Sequence, residues 1–180
     1  MILGDSELKK LKNGKYIPND CDSRINPASL NVRIGNSFLV PRKKWFGGVR
    51  LGDWVKYKQV FLKDGEVFKL HPGQFALATT MERISLPTTV AAFVQGRSSI
   101  GRAGLTVQNA GFIDPGFRGH ITLELKNETR NTIIIRPGYP VAQIVFEDAR
   151  GVTRPYSGKY NGQTDARGSM MYLDKEAQAK

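Results

Sequence analysis

The sequence predicts an all-β fold, a barrel or a sandwich, that follows one short helix and ends in a polar arm. Short segments with alternating apolar residues recur along the chain, and turn residues separate them. The 180 residues include 19 glycines and 9 prolines, which favours many turns over long helices. Aliphatic residues become rare after Pro155. We therefore predict one β domain over residues 1–154 and an arm over residues 155–180.

The apolar pattern gives the elements in chain order. Asp5 as an N-cap, with Leu8 and Leu11 on one face, predicts a short helix that ends at Asn13-Gly14. Strands are predicted over 29–40, 55–62, 67–70, 74–80, 89–95, 121–126, 133–135 and 141–146. Asp64-Gly65 predicts a hairpin between two of these strands. On composition alone, the arm resembles a frayed tail more than a segment that becomes ordered on a ligand.

Charge and cysteine content limit the classes of function. The chain has 27 basic and 16 acidic residues, for a formal net charge of +11. This excess indicates an anionic partner, either nucleotide phosphate or nucleic acid, or simply a basic surface. The single cysteine, Cys21, excludes an internal disulfide framework and a zinc site with two or more thiolates. No apolar segment approaches the roughly 20 residues that span a bilayer, and we expect a soluble cytoplasmic protein with no membrane partner.

The segment GRSSIGR at 96–102 combines cationic, hydroxyl and glycine residues directly after an apolar strand. Arginine binds phosphate oxygens bidentately, and glycine lets backbone N–H groups approach an anion. The segment is therefore a candidate anion-binding loop, although turns of this composition are also common without a ligand.

Two carboxylates lie where strands could present them to a ligand. Asp114 begins the predicted tight turn Asp114-Pro115-Gly116. Glu124 lies in the strand ITLELK at 121–126, on the polar side of the alternation. Glu124 is therefore either a solvated outward residue or a residue of a cleft. Zinc-dependent deamination is excluded, because the sequence lacks the His-x-Glu and Pro-Cys-x-x-Cys segments that it needs.

Four segments occur in the order and at the spacing of the dCTP deaminases, which are metal-independent relatives of the trimeric dUTPases. They are GRSSIGR at 96–102, AGFIDPGF at 110–117, ITLEL at 121–125 and, in the arm, Tyr156, Lys159, Tyr160 and Gln163. The chain resembles this family over nearly its whole length. The resemblance implies a distorted β-barrel of the dUTPase-like type, with a short N-terminal helix and a C-terminal arm that closes over the nucleotide. It also implies a homotrimer with active sites between subunits.

The resemblance implies catalytic roles for particular residues. Glu124 matches the general acid/base of deamination, and Asp114 matches the carboxylate that meets the deoxyribose 3′-hydroxyl. In dUTPases the carboxylate equivalent to Asp114 orients the water that attacks the α-phosphate. Ser98 and the Ala110 backbone would hold the water of deamination, and Arg102 would orient Glu124. The nucleotides would be dCTP and dUTP, with Mg²⁺ carried on the triphosphate and no zinc or other protein-held metal.

Further residues of this sequence match the family's substrate-binding positions. The arm residues would contact the triphosphate together with the 97–99 loop, and Gln143 would read the cytosine edge together with the backbone at 122–123. The full predicted set is Arg97, Ser99, Ile100, Gly101, Ala110, Gly111, Phe112, Thr122, Leu123, Gln143, Tyr156, Lys159 and Gln163.

The pair Gly111-Phe112 favours dUMP as the product. Bifunctional members of the family carry Gly-Trp or Gly-Phe at this place, and monofunctional enzymes of the enterobacterial type carry His-Arg. The alternatives are a monofunctional dCTP deaminase that releases dUTP, and a dUTPase, although dUTPases carry an apolar residue where this chain has Glu124. A non-catalytic barrel that binds nucleotides or nucleic acid is the remote alternative.

Two positions depart from the family pattern. Asn31 stands where the family usually has Asp, which removes an ion pair with Arg33 or a neighbour. In the arm, Gly168 follows Gln163 at a greater distance than the family's glycine does. The closure of the arm is therefore expected to differ in this chain.

Overall fold

A computed structural model of the chain describes residues 1–43, 47–107 and 111–178. Its helices are α1 (Asp5–Asn13), α2 (Ser98–Arg102) and α3 (Lys175–Gln178), and 3₁₀ turns cover Asp22–Arg24 and Met171–Leu173. The strands are β1 (Ile25–Asn26), β2 (Ser29–Pro41), β3 (Tyr57–Phe61), β4 (Phe68–Leu70), β5 (Phe75–Ser85), β6 (Val90–Gly96), β7 (Leu105–Val107), β8 (Phe112–Ile113), β9 (Arg118–Asn127), β10 (Ile133–Ile135) and β11 (Pro140–Asp148). This strand content confirms the prediction of an all-β fold.

The strands of the described residues form one curled sheet and one small ladder. The nine-stranded sheet has the order β7-β9-β5-β2-β11-β6-β8, and β1 and β3 also pair with β2. β4 and β10 pair with each other. The β5 ladders with β2 and with β9 both contain register shifts. Such irregularities bend strands and increase their twist, which favours a curled, barrel-like sheet over a flat one.

Alternation along the strands places the core on one face of the sheet. Ile121, Leu123 and Leu125 of β9 are buried, and the residues between them are only partly buried. Phe38 of β2 stacks on Phe68 of β4 with ring centroids 4.2 Å apart. The small β4–β10 ladder therefore closes over the same core. The outer face of β9 is left for other contacts.

Two local predictions are wrong in detail. The N-cap of α1 is Gly4, and Asp5 is the first helical residue. In that position its carboxylate still stabilises the helix N-terminus through the helix dipole. Asp64-Gly65 does not close a hairpin, because β3 pairs with β2 and β4 pairs with β10.

Arg33 belongs to an ion-pair cluster, although Asn31 was expected to remove an ion pair with Arg33 or a neighbour. The Arg33 Nε lies 2.7 Å from Glu82 Oε1, and the Arg33 backbone N–H donates to the second Glu82 oxygen. Asp20 accepts a further hydrogen bond from the Arg33 guanidinium. The Glu82 side chain is fully buried, so these contacts compensate a charge that would otherwise be costly to bury.

Candidate active site

A cleft of about 340 Å³ opens on the outer face of β9. Its floor is formed by β9, one side by β8 and the turn after it, and its cover by the arm. Seven of the predicted site residues line it: Gly111, Phe112, Asp114, Thr122, Glu124, Tyr156 and Gln163.

Glu124 lies on the cleft floor because β9 alternates. Its strand partner is Leu77 of β5, and Phe75 and Leu77 line the cleft beside it. Burial among these residues raises the pKa of the Glu124 carboxyl. Within the described ranges its carboxylate has no hydrogen-bond or ion-pair partner. The group is therefore half-buried and unpaired, and it holds a proton more readily than an exposed glutamate does.

Asp114 is held at the cleft by a tight turn. The Phe117 N–H donates to the Asp114 carbonyl oxygen over 3.1 Å, and Gly116 adopts a φ of +88°. Proline followed by a glycine with positive φ is the pattern of a type II turn. The arm begins on this turn, since the Tyr156 N–H donates to the Pro115 carbonyl oxygen.

The pair Gly111-Phe112 forms the rim of the cleft. A Cβ on Gly111 would lie 2.6 Å from the Cβ of Val94. Glycine therefore lets the chain approach β6 closely, where the Val94 N–H donates to the Gly111 carbonyl oxygen. Phe112 packs edge-on against Phe93 and remains 56% exposed at the cleft. A bulkier residue at 111 would displace this rim.

The arm is ordered on the barrel. The His120 N–H donates to the Gln163 carbonyl oxygen over 2.9 Å, and the Gln163 side-chain amide donates to the His120 carbonyl oxygen over 2.7 Å. The Arg167 N–H donates to the Thr122 hydroxyl. Ala166 is buried in a small apolar cluster with Leu39 and Leu77. The frayed tail that composition favours is therefore not what the structure shows.

The later glycine of the arm is accommodated by Tyr57. Gly168 lies against the Tyr57 ring, and the Ser169 N–H donates to the Tyr57 hydroxyl over 3.2 Å. The segment between Gln163 and Gly168, which is longer than in the family pattern, thus ends at a contact with Tyr57 of β3.

Lys159 is placed differently from Tyr156 and Gln163. Its ammonium group forms an ion pair with Asp174, which raises the pKa of Lys159. Lys159 is not among the residues that line the cleft.

A second group of predicted residues lies away from this cleft. Ser98, Ser99 and Arg102 are exposed on α2, and Ile100 packs partly against the core. The Arg97 guanidinium donates to the Pro140 carbonyl oxygen over 2.7 Å, which holds the start of α2 beside β11. Gln143 lies on β11, paired with Asn31 of β2 and Gln95 of β6. The residues of this group that do not line the cleft are Arg97, Ser98, Ser99, Ile100, Gly101, Arg102 and Gln143.

The Leu123 side chain is 1% exposed and points into the core, so only its backbone could contact a ligand. Ala110 lies outside the described residues. Arg102 was predicted to orient Glu124, but within one chain burial alone shifts the pKa of Glu124.

The model of the dCTP deaminase-like family matches residues 2–149 of the chain. The chain belongs to this family. A dCTP deaminase, dUMP-forming, from Persephonella marina is 41% identical over 180 residues, covering 98% of this chain and 100% of the relative. A protein of the same name from Aquifex aeolicus is 39% identical, with full coverage of both chains.

A solved structure supports the fold assignment. The 2′-deoxycytidine 5′-triphosphate deaminase from Agrobacterium tumefaciens superposes with a TM-score of 0.64 at 25% identity. The match covers 82% of this chain, and the chain spans about half of that protein, 48% of its length. The predicted dUTPase-like barrel class is confirmed.

Sequence reasoning missed several cleft residues of this family member. Tyr57, Phe75 and Leu77 come from β3 and β5, and Arg167 comes from the arm. Outward alternation on β5 was a usable signal for Phe75 and Leu77. Tyr57 and Arg167 had none, because their position depends on where the arm docks.

The described residues contain no group of three or more His, Cys, Asp or Glu side chains that could hold a metal ion. Nor does any described helix have the length and apolar content to cross a membrane.

Proposed function

We propose that this chain converts dCTP and water to dUMP, ammonia and pyrophosphate. The observation that carries the proposal is the half-buried, unpaired Glu124 on the floor of a nucleotide-sized cleft. Membership of the dCTP deaminase-like family and relatives named dUMP-forming support it. The net charge of +11 suits a triphosphate substrate.

In the first step Glu124 acts as a proton shuttle. Its carboxylate takes a proton from water, whose oxygen attacks C4 of cytosine, and the proton passes to N3. Glu124 then delivers the water's second proton to the leaving amine as the C4–N4 bond breaks, which gives ammonia and dUTP. A raised pKa suits this double role, because a general acid/base works best when its pKa approaches the ambient pH, and burial shifts the pKa of Glu124 in that direction.

In the second step Asp114 positions the attacking water. The water oxygen attacks the α-phosphorus, and the bond from that phosphorus to the oxygen bridging the α- and β-phosphates breaks, so pyrophosphate leaves with the electron pair. Mg²⁺ enters as part of the substrate, held on the triphosphate by phosphate oxygens and water. Because Asp114 and Glu124 line one cleft, the dUTP formed in the first step need not leave before the second.

The arm would close over the bound nucleotide. Tyr156 would flank it, and the Gln163 amide would turn towards it. The triphosphate would replace Asp174 as the partner of Lys159, since both offer anionic oxygens to the same ammonium group.

A neighbouring copy of the chain would supply the second group of residues. Ser98 would then hold the attacking water, and Arg102 would face Glu124 from across the subunit boundary. An apolar groove of about 410 Å³ beside α2, with Ile134 and Tyr139 exposed on it, supports association at this place. We therefore propose a homotrimer whose sites lie between subunits.

The test is product analysis after incubation of the protein with dCTP and Mg²⁺. We expect dUMP, pyrophosphate and ammonia in equal amounts with little free dUTP. Glu124→Gln should lower deamination by about 10²–10⁴-fold, the usual contribution of a general acid/base. Glu128→Gln is the matched control, because Glu128 is exposed and, among the described residues, forms a hydrogen bond only through its backbone.

Other outcomes would contradict the proposal in different ways. Accumulation of dUTP would mean a monofunctional deaminase. Survival of dCTP together with cleavage of added dUTP would mean a dUTPase. Equal activity of Glu124→Gln and Glu128→Gln would mean that Glu124 takes no part in the reaction.

A further inference from the structure

The paired strands β2 and β3 continue past the core, and their core-side face becomes basic there. Phe38 lies opposite Val60 in this ladder, and both side chains pack in or against the core. Beyond the last strand pair, the Arg42 N–H donates to the Lys56 carbonyl oxygen over 2.8 Å, so these two residues face each other. Because every second side chain of a strand points to the same face, Arg42, Lys56 and Lys58 lie on the side of Phe38 and Val60. All three basic side chains are exposed.

These three cations have no counter-charge in the part of the chain that the structure describes. Among the described residues, no carboxylate forms an ion pair or a hydrogen bond with Arg42, Lys56 or Lys58. Like charges directly opposite each other on two strands lower the stability of the pairing. Arg42 and Lys56 are such a pair, so an anion bound between them would stabilise the end of this ladder.

An exposed tryptophan lies beside the cations. Trp54 is 57% exposed, and the Lys56 Nζ lies 5.8 Å from the centre of its ring. We call Arg42, Trp54, Lys56 and Lys58 the basic face. The segment 42–58, which contains it, carries six of the 27 basic residues of the chain and one of the 16 acidic residues. The basic face therefore combines a local excess of positive charge with an aromatic ring that is open to solvent.

The basic face is separate from the cleft. The described residues that line the cleft include none of its four members. The opposite side of the same two strands carries Leu39 and Tyr57, which pack with Ala166 of the arm. A ligand on the basic face can therefore bind while the cleft is occupied, and none of the proposed chemistry uses this face.

We propose that the basic face binds single-stranded nucleic acid. Phosphate groups contact the three cations, and one base stacks on the Trp54 ring. Positive grooves with exposed aromatic rings suit single strands, because every base has a face that can stack. In a duplex the base faces are covered by their neighbours, so the Trp54 ring has nothing to stack on.

The neighbouring turn argues against an anionic membrane as the partner. Leu51 is 95% exposed in this turn, and an apolar side chain beside basic residues is also a feature of membrane-binding segments. However, the Arg50 N–H donates to the Asp53 carboxylate across the same turn over 3.1 Å. Insertion of Leu51 would bring this carboxylate to anionic headgroups, which repel it.

The experiment measures the fluorescence anisotropy of a labelled oligothymidylate of about 20 nucleotides, longer than the roughly 4–16 nucleotides that one nucleic-acid-binding barrel covers. The full chain is titrated at several salt concentrations. Three phosphate contacts predict a slope of log K against log salt of about −2, at about −0.7 for each contact with a single strand. The double variant Lys56→Gln, Lys58→Gln should reduce this slope to about −0.7.

Variants of Trp54 test the stacking of a base. Trp54→Ala should weaken binding of the single strand about 10-fold, and Trp54→Phe, which keeps an aromatic face, should bind within about 3-fold of the parent. With a duplex of the same length, Trp54→Ala and the parent should bind alike, since no base face is free. Equal losses with single strand and duplex, or no loss with either, would overturn the inference.

The matched control is the double variant Lys9→Gln, Lys10→Gln, which removes the same charge from exposed positions of α1. It should bind like the parent, and a loss as large as that of Lys56→Gln, Lys58→Gln would mean that only net charge matters. Excess dCTP, with EDTA and in the Glu124→Gln background, should leave the oligonucleotide bound, whereas displacement would place the oligonucleotide in the cleft. Binding to phosphatidylserine vesicles without binding to the oligonucleotide would identify a membrane surface. Each of these three contrary results would overturn the inference.

Variants of the basic face should keep the Tm of the parent and its rate of dCTP deamination, because the residues replaced do not line the cleft. Absence of dCTP turnover in the parent would contradict the proposed function and leave the oligonucleotide measurements valid. The two proposals can therefore fail separately.

Discussion

At the scale of single residues, the burial of the Glu124 carboxylate lowers the stability of the folded state and suits the residue to the proposed proton transfer. A carboxylate among Phe75 and Leu77 loses hydration, and no described side chain offers it a hydrogen bond. The same burial that raises its pKa makes its charged form costly in the folded state. An amide of the same shape would carry no such cost.

We therefore expect the dissociated single chain, in which no Arg102 of a neighbouring copy faces Glu124, to be more thermally stable as Glu124→Gln than as the parent at neutral pH. The folded state holds the Glu124 proton more tightly than the unfolded state, so stability falls as pH rises from the ordinary pKa near 4.5 through the higher folded value. Below about pH 4 the carboxyl is protonated in both states, and the gain should vanish. Calorimetric Tm values at pH 4 and pH 7.5 measure this. A lower Tm for Glu124→Gln than for the parent at pH 7.5 would contradict the expectation.

At the scale of elements, the arm is the part of the site that depends most on tertiary contacts. Between Tyr156 and Ser169 the sole aliphatic side chain is Ala166. That residue is buried at 7% exposure against Leu39 and Leu77. Hydrogen bonds to β9, to the turn at Pro115 and to the Tyr57 hydroxyl add to this apolar contact. A short polar segment can thus be ordered because the barrel supplies the partners.

Ala166→Asp should release the arm without unfolding the barrel. An unpaired carboxylate cannot be buried against leucines at acceptable cost, whereas an undocked arm leaves it in water. We expect a rise of at least about 10-fold in KM for dCTP, and rapid proteolysis after Lys159 and Arg167. Thr164→Asp carries the same charge two residues earlier on an exposed position, so it should behave like the parent. Retention of the parent KM and protease resistance by Ala166→Asp would show that the arm does not serve the site.

The elements also show what the sequence could and could not predict. The alternation ITLELK was enough to put Glu124 outwards and Leu123 inwards, because a strand has a fixed period of two. It could not show that Asp64-Gly65 joins strands of different ladders, since pairing is decided by contacts distant in sequence. For the same reason the arm's docking, and with it Tyr57 and Arg167 in the cleft, could not be predicted.

At the scale of the whole molecule, the predicted site is divided between two places. Glu124 and Asp114 line the cleft, whereas Ser98 and Arg102 are exposed on α2. Under the proposed mechanism, neither place alone has all the groups that the reaction needs. Two copies that bring α2 of one to the cleft of another would complete a site, and a closed ring of such contacts is a symmetric oligomer.

This division makes a quantitative prediction for mixed oligomers. Glu124→Gln and Ser98→Ala should each be nearly inactive. An equal mixture of the two variants, refolded together, should recover about a quarter of the parent activity. Half of the clefts in the mixture keep Glu124, and half of those face an intact Ser98 of the neighbouring chain in a symmetric ring. Ser98→Ala mixed with Arg102→Ala should recover nothing, since both residues lie on α2 of one chain. Deamination of dCTP by the refolded mixtures is the measurement. No recovery with the first pair would mean that each chain completes its own site, and equal recovery with both pairs would mean that the two places are not divided between copies as proposed.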